Sequence, residues 1–289
     1  MSDGGEQGLA IIAFIGSVFS PYYAWARQHG AGADPLQHCA LNIALYGRGR
    51  KRWAMTERGR SRVRRGADIL CIGPSALRWE GDALTIRIDE VTSPWPSRIR
   101  GTVRVHPTAL LDRTYWLDAH GRHRWTPIAP RARVEVDLRH PALRWRGEAY
   151  LDSNAGDAPL EDDFCRWDWS RASLAADRTA VLYDVTRRNG DTMSLALQFD
   201  ASGTALAFEP PPPAALPASR WRIARNTRSD GSARIVQTLE DAPFYARSLL
   251  DAQWRGERVT AVHESLSLER FDSAWVRALL PFRMPRAAG

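Results

Sequence analysis

Residues 133–138 read Arg-Val-Glu-Val-Asp-Leu, with an apolar side chain at every second position. That period of two predicts a strand with one face in a core and the other in water. Other β-rich apolar runs occupy residues 9–15, 38–46, 84–90, 99–106, 143–152, 179–186, 193–200, 233–240 and 257–271. Turn signals divide them, at Glu80-Gly81-Asp82, residues 118–121, residues 187–191 and Ser229-Asp230-Gly231. Helical periodicity is scarce. Many strands separated by turns predict an all-β chain of antiparallel barrels or sandwiches with few short helices.

The 289 residues suffice for one large β domain or two smaller ones. Composition changes across residues 172–178, after the cluster Trp167-Asp168-Trp169. A boundary is therefore expected near residue 175. It separates an N-terminal domain, 1–175, carrying most of the candidate chemistry, from a C-terminal domain, 176–289. Within the second, Pro210-Pro211-Pro212-Pro213 predicts a stiff extended loop over residues 208–217, because proline supplies no ladder donor.

Charge and cysteine usage narrow the class. The net charge is +7, and Lys51 is the single lysine, so arginine carries nearly all the positive charge. A basic surface attracts nucleic acid or an anionic membrane. No recognition helix or aromatic RNA-binding strand accompanies it, so nucleic acid is not an expected partner. The three cysteines, Cys39, Cys71 and Cys165, are scattered and odd in number, which fits a reducing compartment and inert thiols. No apolar run approaches the roughly 20 residues of a membrane-spanning helix. The run 9–15 follows an acidic, glycine-rich start and does not read as a signal peptide.

Three segments carry surface signals. Residues 48–65 hold nine Arg or Lys with Glu57 as the one acid, a solvated strand pair or loop or a patch for anionic lipid. The aromatic segment 19–25 reads as a loop that packs in a core, walls an apolar pocket or touches a bilayer interface. The tail 273–286 mixes Trp275, Leu279, Leu280, Phe282 and Met284 with arginines, as an interfacial helix or a cover for a barrel end.

Common catalytic signatures are missing: no phosphate loop, no G-x-S-x-G elbow and no zinc helix, and the seven histidines are dispersed. Neither cofactor nor metal is expected. Two clusters stand out. His123-Arg124-Trp125 enters a strand after Gly121, so His123 and Trp125 share a face. Tyr150-Leu151-Asp152 ends the run 143–152, so Tyr150 and Asp152 share a face. On pattern alone, a carboxylate at a strand end is most simply a turn cap.

The stretch Gly8-Leu9-Ala10-Ile11-Ile12-Ala13-Phe14-Ile15-Gly16-Ser17-Val18-Phe19-Ser20-Pro21-Tyr22-Tyr23-Ala24-Trp25 resembles the carotenoid 1,2-hydratases of phototrophic bacteria, also called hydroxyneurosporene synthases. So do Arg52-Trp53-Ala54-Met55-Thr56-Glu57-Arg58-Gly59, residues 150–161, Trp167-Asp168-Trp169-Ser170-Arg171-Ala172 and Leu280-Pro281-Phe282-Arg283-Met284-Pro285. The resemblance implies two lipocalin-like β-barrels packed together, a fold shared with some pericyclases. It also implies cofactor-independent hydration of an acyclic carotenoid such as neurosporene or lycopene. The family's His-x-Trp matches His123 and Trp125, and its Tyr-x-Asp matches Tyr150 and Asp152. Family members begin with an aromatic-rich strand upstream of a Ser-Asp-Gly-like turn, whereas this chain starts at Met1-Ser2-Asp3-Gly4-Gly5-Glu6, so the first barrel is expected to lack an edge strand.

On this reading Asp152 is the proton donor, Trp125 and Tyr150 face the resulting cation, and His123 orients Asp152 or the attacking water, or accepts the water's proton. Glu161 is the alternative acid. Tyr22, Tyr23, Trp167 and Trp169, with Trp125 and Tyr150, are expected to contact substrate. The expected partners are an acyclic carotenoid, water and a membrane surface, with no obligatory protein partner. The expected location is cytoplasmic, peripheral on the inner or photosynthetic membrane. A carotenoid carrier without turnover and a pericyclase are the competing readings; the first predicts tolerance of Asp152→Asn, the second no need for a general acid.

Overall fold

A computed structural model describes residues 1–30, 33–47 and 51–287. Antiparallel strands dominate it, as the period-two runs predict. The chain forms two compact units interleaved in sequence: Met1–Pro107, Ala132–Ala149 and Arg277–Gly289 in the first, Thr108–Arg131 and Tyr150–Val276 in the second.

In the first unit, Gln7–Phe14 pairs with Cys39–Gly47, and Ala83–Val91 pairs with Arg98–Pro107. The run 133–138 lies in the strand His123–His140 and pairs with Arg98–Pro107, Val134 opposite Val105 and Val136 opposite Val103. Its alternation has the expected consequence. Val134, Val136 and Leu138 are buried, while Glu135 and Asp137 point outward to Arg146 and Arg144 at 2.9 and 2.6 Å.

The aromatic segment 19–25, expected as a loop, is largely helix, Pro21–His29. Ser20 caps it by accepting the Tyr23 N–H at 2.9 Å, and Pro21 sits in the first turn, where its missing N–H costs nothing. Of the basic segment, residues 48–50 lie outside the described residues. The rest forms short strands and a turn, with Arg58 buried on Glu90 at 2.8 Å and Arg60 on Asp34 at 2.7 Å.

The second unit centres on a seven-stranded antiparallel sheet. Its order is Ala205–Ala207, Thr192–Phe199, Arg178–Arg187, Phe164–Leu174, Glu257–Ser267, Tyr245–Trp254 and Arg234–Asp241. The boundary expected near residue 175 falls at a hairpin inside this sheet: Leu174 pairs with Arg178, and Ala176 and Asp177 take left-handed φ of 53° and 61°. The small and polar residues there make a tight turn rather than a linker. Proline is excluded only from interior positions, and here Pro213 opens a short strand, Pro213–Leu216, paired with Arg225–Arg228. The run 257–271 ends as a strand at Ser267, which caps a single helical turn, Leu268–Phe271.

The registers assign side chains to the two faces of the sheet. Ala172, Leu182, Ala196, Leu250, Ala252, Trp254 and Ala261 form one apolar core. The opposite face carries a row made by Leu195, Tyr183, Trp169, Glu264 and Arg247, paired in that order across five strands.

Candidate active site

The site begins at the turn 118–121. Asp118 accepts the backbone N–H of His120 at 2.8 Å, of Arg122 at 3.2 Å and of His123 at 2.6 Å. Burial opposes its charge, but these three donors outweigh burial and hold its pKa below the ordinary carboxylate value. The turn, with Gly121 at φ 67°, launches the strand at His123 and delivers Trp125 inward, fully buried. The strand Ala142–Gly156 brings Tyr150 and Asp152 to the same place.

Asp152 Oδ2 accepts the indole N–H of Trp125 at 2.8 Å and the phenol O–H of Tyr150 at 3.1 Å. Three residues singled out in the sequence thus converge on one oxygen. Burial lifts the Asp152 carboxyl to about 6. The two donors pull it back down, and the neighbouring Glu264 charge adds to the rise. Burial, then the Asp152 charge, pushes the Tyr150 phenol well above its usual value, so it stays protonated as a donor.

Aromatic rings surround this carboxyl. Tyr150 lies 5.4 Å from Trp169, and Trp125 lies 5.5 Å from Tyr115 and 5.6 Å from Tyr183. Trp167 adds its ring 6.0 Å from Tyr183. Trp167 and Trp169 thus join the aromatic surround of Asp152 through Tyr183 and Tyr150. Tyr183 was missed by the sequence reading; its hydroxyl donates to Asn154 at 3.2 Å.

His123 is placed differently from expectation. It is buried, its Nε2 lies 2.7 Å from Asp163 Oδ2, and its ring packs on Phe164 at 4.9 Å. Arg122 also bonds Asp163. Among the described residues His123 has no hydrogen bond to Asp152, so its direct contacts tie down the strand start. Glu161 is buried in the one-turn helix Leu160–Asp163. Tyr22 and Tyr23 belong to the first unit, where Tyr23 stacks on His38 at 4.8 Å and Arg286 covers Tyr22 at 5.8 Å.

A second buried polar chain occupies the other face. Ser265 donates to Asp168 at 2.5 Å, and His263 bridges Ser265 and Ser170 at 2.9 and 2.8 Å. Burial raises Asp168 to about 6; burial and then the Arg225 charge lower His263 to about 3. Asp168 alternates with Trp167 and Trp169, so period two sends it away from the Asp152 cluster. Among the described residues no cluster of three or more His, Cys, Asp or Glu could hold a metal ion.

The family described as Carotenoid hydratase CrtC matches residues 11–289. The acyclic carotenoid 1,2-hydratase of Thiocapsa roseopersicina is 58% identical over 292 residues, covering all of this chain and 72% of that one. Its counterpart in Cereibacter sphaeroides is 42% identical, over 96% of this chain and 99% of that one. Among solved structures, a putative AttH of Nitrosomonas europaea shares the fold, with a TM-score of 0.60 at 14% identity, covering 92% of this chain and 88% of that one. By its sequence from residue 11 to its last residue, and at this level of identity, the chain belongs to the carotenoid hydratase family.

Proposed function

We propose that this chain adds water across the C1–C2 double bond of an acyclic carotenoid, with Asp152 as the acid. The observation that carries the reading is a carboxyl lifted to about 6, gripped by Trp125 and Tyr150 among aromatic rings. Alkene hydration needs no electron transfer. It needs a proton delivered to C2, a tolerated tertiary cation at C1, and water at that carbon. Both donors fall on Oδ2, which leaves Oδ1 to carry the acidic proton. After transfer the carboxylate lies beside the cation, and the same two donors stabilise it. The rings of Trp125, Tyr150 and Trp169 offer their negative faces, each worth roughly 0.5–2 kcal/mol when desolvated. That falls far short of a carbocation barrier, so the placed acid supplies most of the effect. His123 and Asp163 act at one remove, fixing the strand that carries Trp125.

The test is incubation of purified protein with lycopene in liposomes, without added cofactor. The expected product is a tertiary alcohol at C1, absent with Asp152→Asn. A wild-type protein that binds lycopene and returns it unchanged overturns the reading.

Such a substrate resides in lipid, and we infer that the protein works at a membrane surface. Among the described residues no helix is long and apolar enough to cross a membrane. The first unit exposes Trp95 at 84% and Phe282 at 70%, and Ser93 donates to the Phe282 carbonyl at 2.8 Å, which ties the two segments that carry them. Arg98 and Arg283 flank them in sequence. Aromatic rings among arginines suit an anionic bilayer interface.

A further inference from the structure

We propose that Glu264 is the base that takes the proton from the attacking water, with Arg247 anchoring its carboxylate and Trp169 donating to the water's oxygen. The inference rests on the hydratase reading and adds a residue to it. Glu264 pairs with Trp169 across adjacent strands, which brings their side chains within about 5 Å at Cβ. Trp169 contacts Tyr150 at 5.4 Å, and Tyr150 bonds Asp152 at 3.1 Å. Glu264, Trp169, Tyr150 and Asp152 therefore form one continuous lining. The Glu264 charge opposes ionisation of both Asp152 and Tyr183, as that proximity requires.

Two details give Glu264 the form of a base rather than a second acid. Arg247 is buried and places Nε at 2.8 Å and Nη2 at 2.7 Å, both on Oε1 of Glu264. That double contact anchors the negative charge through Oε1 and leaves Oε2 outside the pair. The indole Nε1 of Trp169 is buried and has no protein partner among the described residues, so it can donate to a water lying against Oε2. One carboxyl bonded to Trp125 and Tyr150 and another paired to a guanidinium, on one lining, can take the two proton-transfer roles.

Asp152 Oδ1–H breaks and the alkene π pair forms the new C2–H bond, leaving the cation at C1. A water lone pair forms C1–O, one water O–H breaks, and its proton moves to Glu264 Oε2. The product leaves as a neutral alcohol, and the proton on Glu264 returns to Asp152 through solvent. No oxidant or reductant enters.

Glu264→Gln keeps the Arg247 contact and removes the basic oxygen. The test runs wild type, Glu264→Gln, Glu264→Asp and Asp152→Asn with lycopene liposomes in heavy water. Hydrated product and deuterium in recovered lycopene are both measured by mass spectrometry. With Glu264→Gln, hydration is expected to fall on the order of 100-fold or more. Deuterium should still enter the recovered carotenoid, because protonation and loss of the proton back to Asp152 need no water attack. Glu264→Asp should restore part of the hydration, and Asp152→Asn should abolish both signals. Hydration by Glu264→Gln within about threefold of wild type (half a log unit, below the smallest general-base effect) overturns the proposal. So does joint loss of hydration and exchange that Glu264→Asp does not relieve, since that pattern marks a structural ion pair. If the wild type neither hydrates nor exchanges, the hydratase reading itself fails, which is a separable result.

Discussion

Replacing Asp152 with asparagine should make the protein more stable at neutral pH while removing its chemistry. The carboxyl rises from 3.8 to about 6 on folding, with burial as the main cause. At about 1.36 kcal/mol per pH unit, keeping it charged above that value costs the folded state at most about 3 kcal/mol. The sign follows from proton binding. Between these two values the folded state holds the proton and the unfolded state does not, so stability falls as pH rises through the window and stays lower above it. Asparagine keeps a carbonyl oxygen for Trp125 and Tyr150 and has no charge to bury. Part of the gain is offset by weaker hydrogen bonds, so about 1–3 kcal/mol is expected near pH 8 and close to zero near pH 4. Asp168, also near 6, is present in both proteins and cancels from the difference. Urea unfolding of both proteins at several pH values measures it. A variant that is less stable at high pH, or a difference that does not change with pH, would refute the reasoning that burial opposes the Asp152 charge.

Other perturbations probe the same cluster. Trp125→Phe removes a donor that lowers the Asp152 pKa, so the pH at which hydration declines should move above about 6, and a pH–rate profile shows the shift. His123→Ala breaks a buried contact with Asp163 and should cost about 1–3 kcal/mol in unfolding free energy; hydration lost at unchanged stability would instead give His123 a part in the chemistry. Trp95→Ser with Phe282→Ser should weaken binding to anionic vesicles and leave turnover of detergent-dispersed carotenoid intact, as sedimentation with vesicles can show; unaltered vesicle binding removes that surface from consideration.

Local pattern carried far along this chain. The alternation of Val134, Val136 and Leu138 with Glu135 and Asp137 predicts the observed faces, and period two pairs His123 with Trp125 and Tyr150 with Asp152. The resemblance was needed to join the two pairs into one site and to tell Asp152 from a turn cap. What stayed hidden depends on register between distant strands. Glu264 lay inside a recognised strand run, but only its pairing with Trp169, far earlier in the chain, places it near Asp152. His123 and Trp125 share a face as period two requires, yet Asp163 captures the histidine, a contact between segments that no local pattern joins. The segment 19–25 misled because its aromatic residues suggested a loop, while Ser20 and Pro21 supplied an ordinary helix start. The cut near residue 175 misled because a hairpin turn and a linker share the same small, polar composition.

If Asp152 protonates the alkene, water oxygen must end on the carotenoid, and only with that carboxyl in place. Purified wild type and Asp152→Asn, incubated with lycopene liposomes in water enriched in the heavy oxygen isotope, test it in one comparison. The wild-type product should carry a single labelled oxygen at C1, and a folded Asp152→Asn protein should give no labelled product. Labelled product from Asp152→Asn at a rate near that of wild type would contradict it.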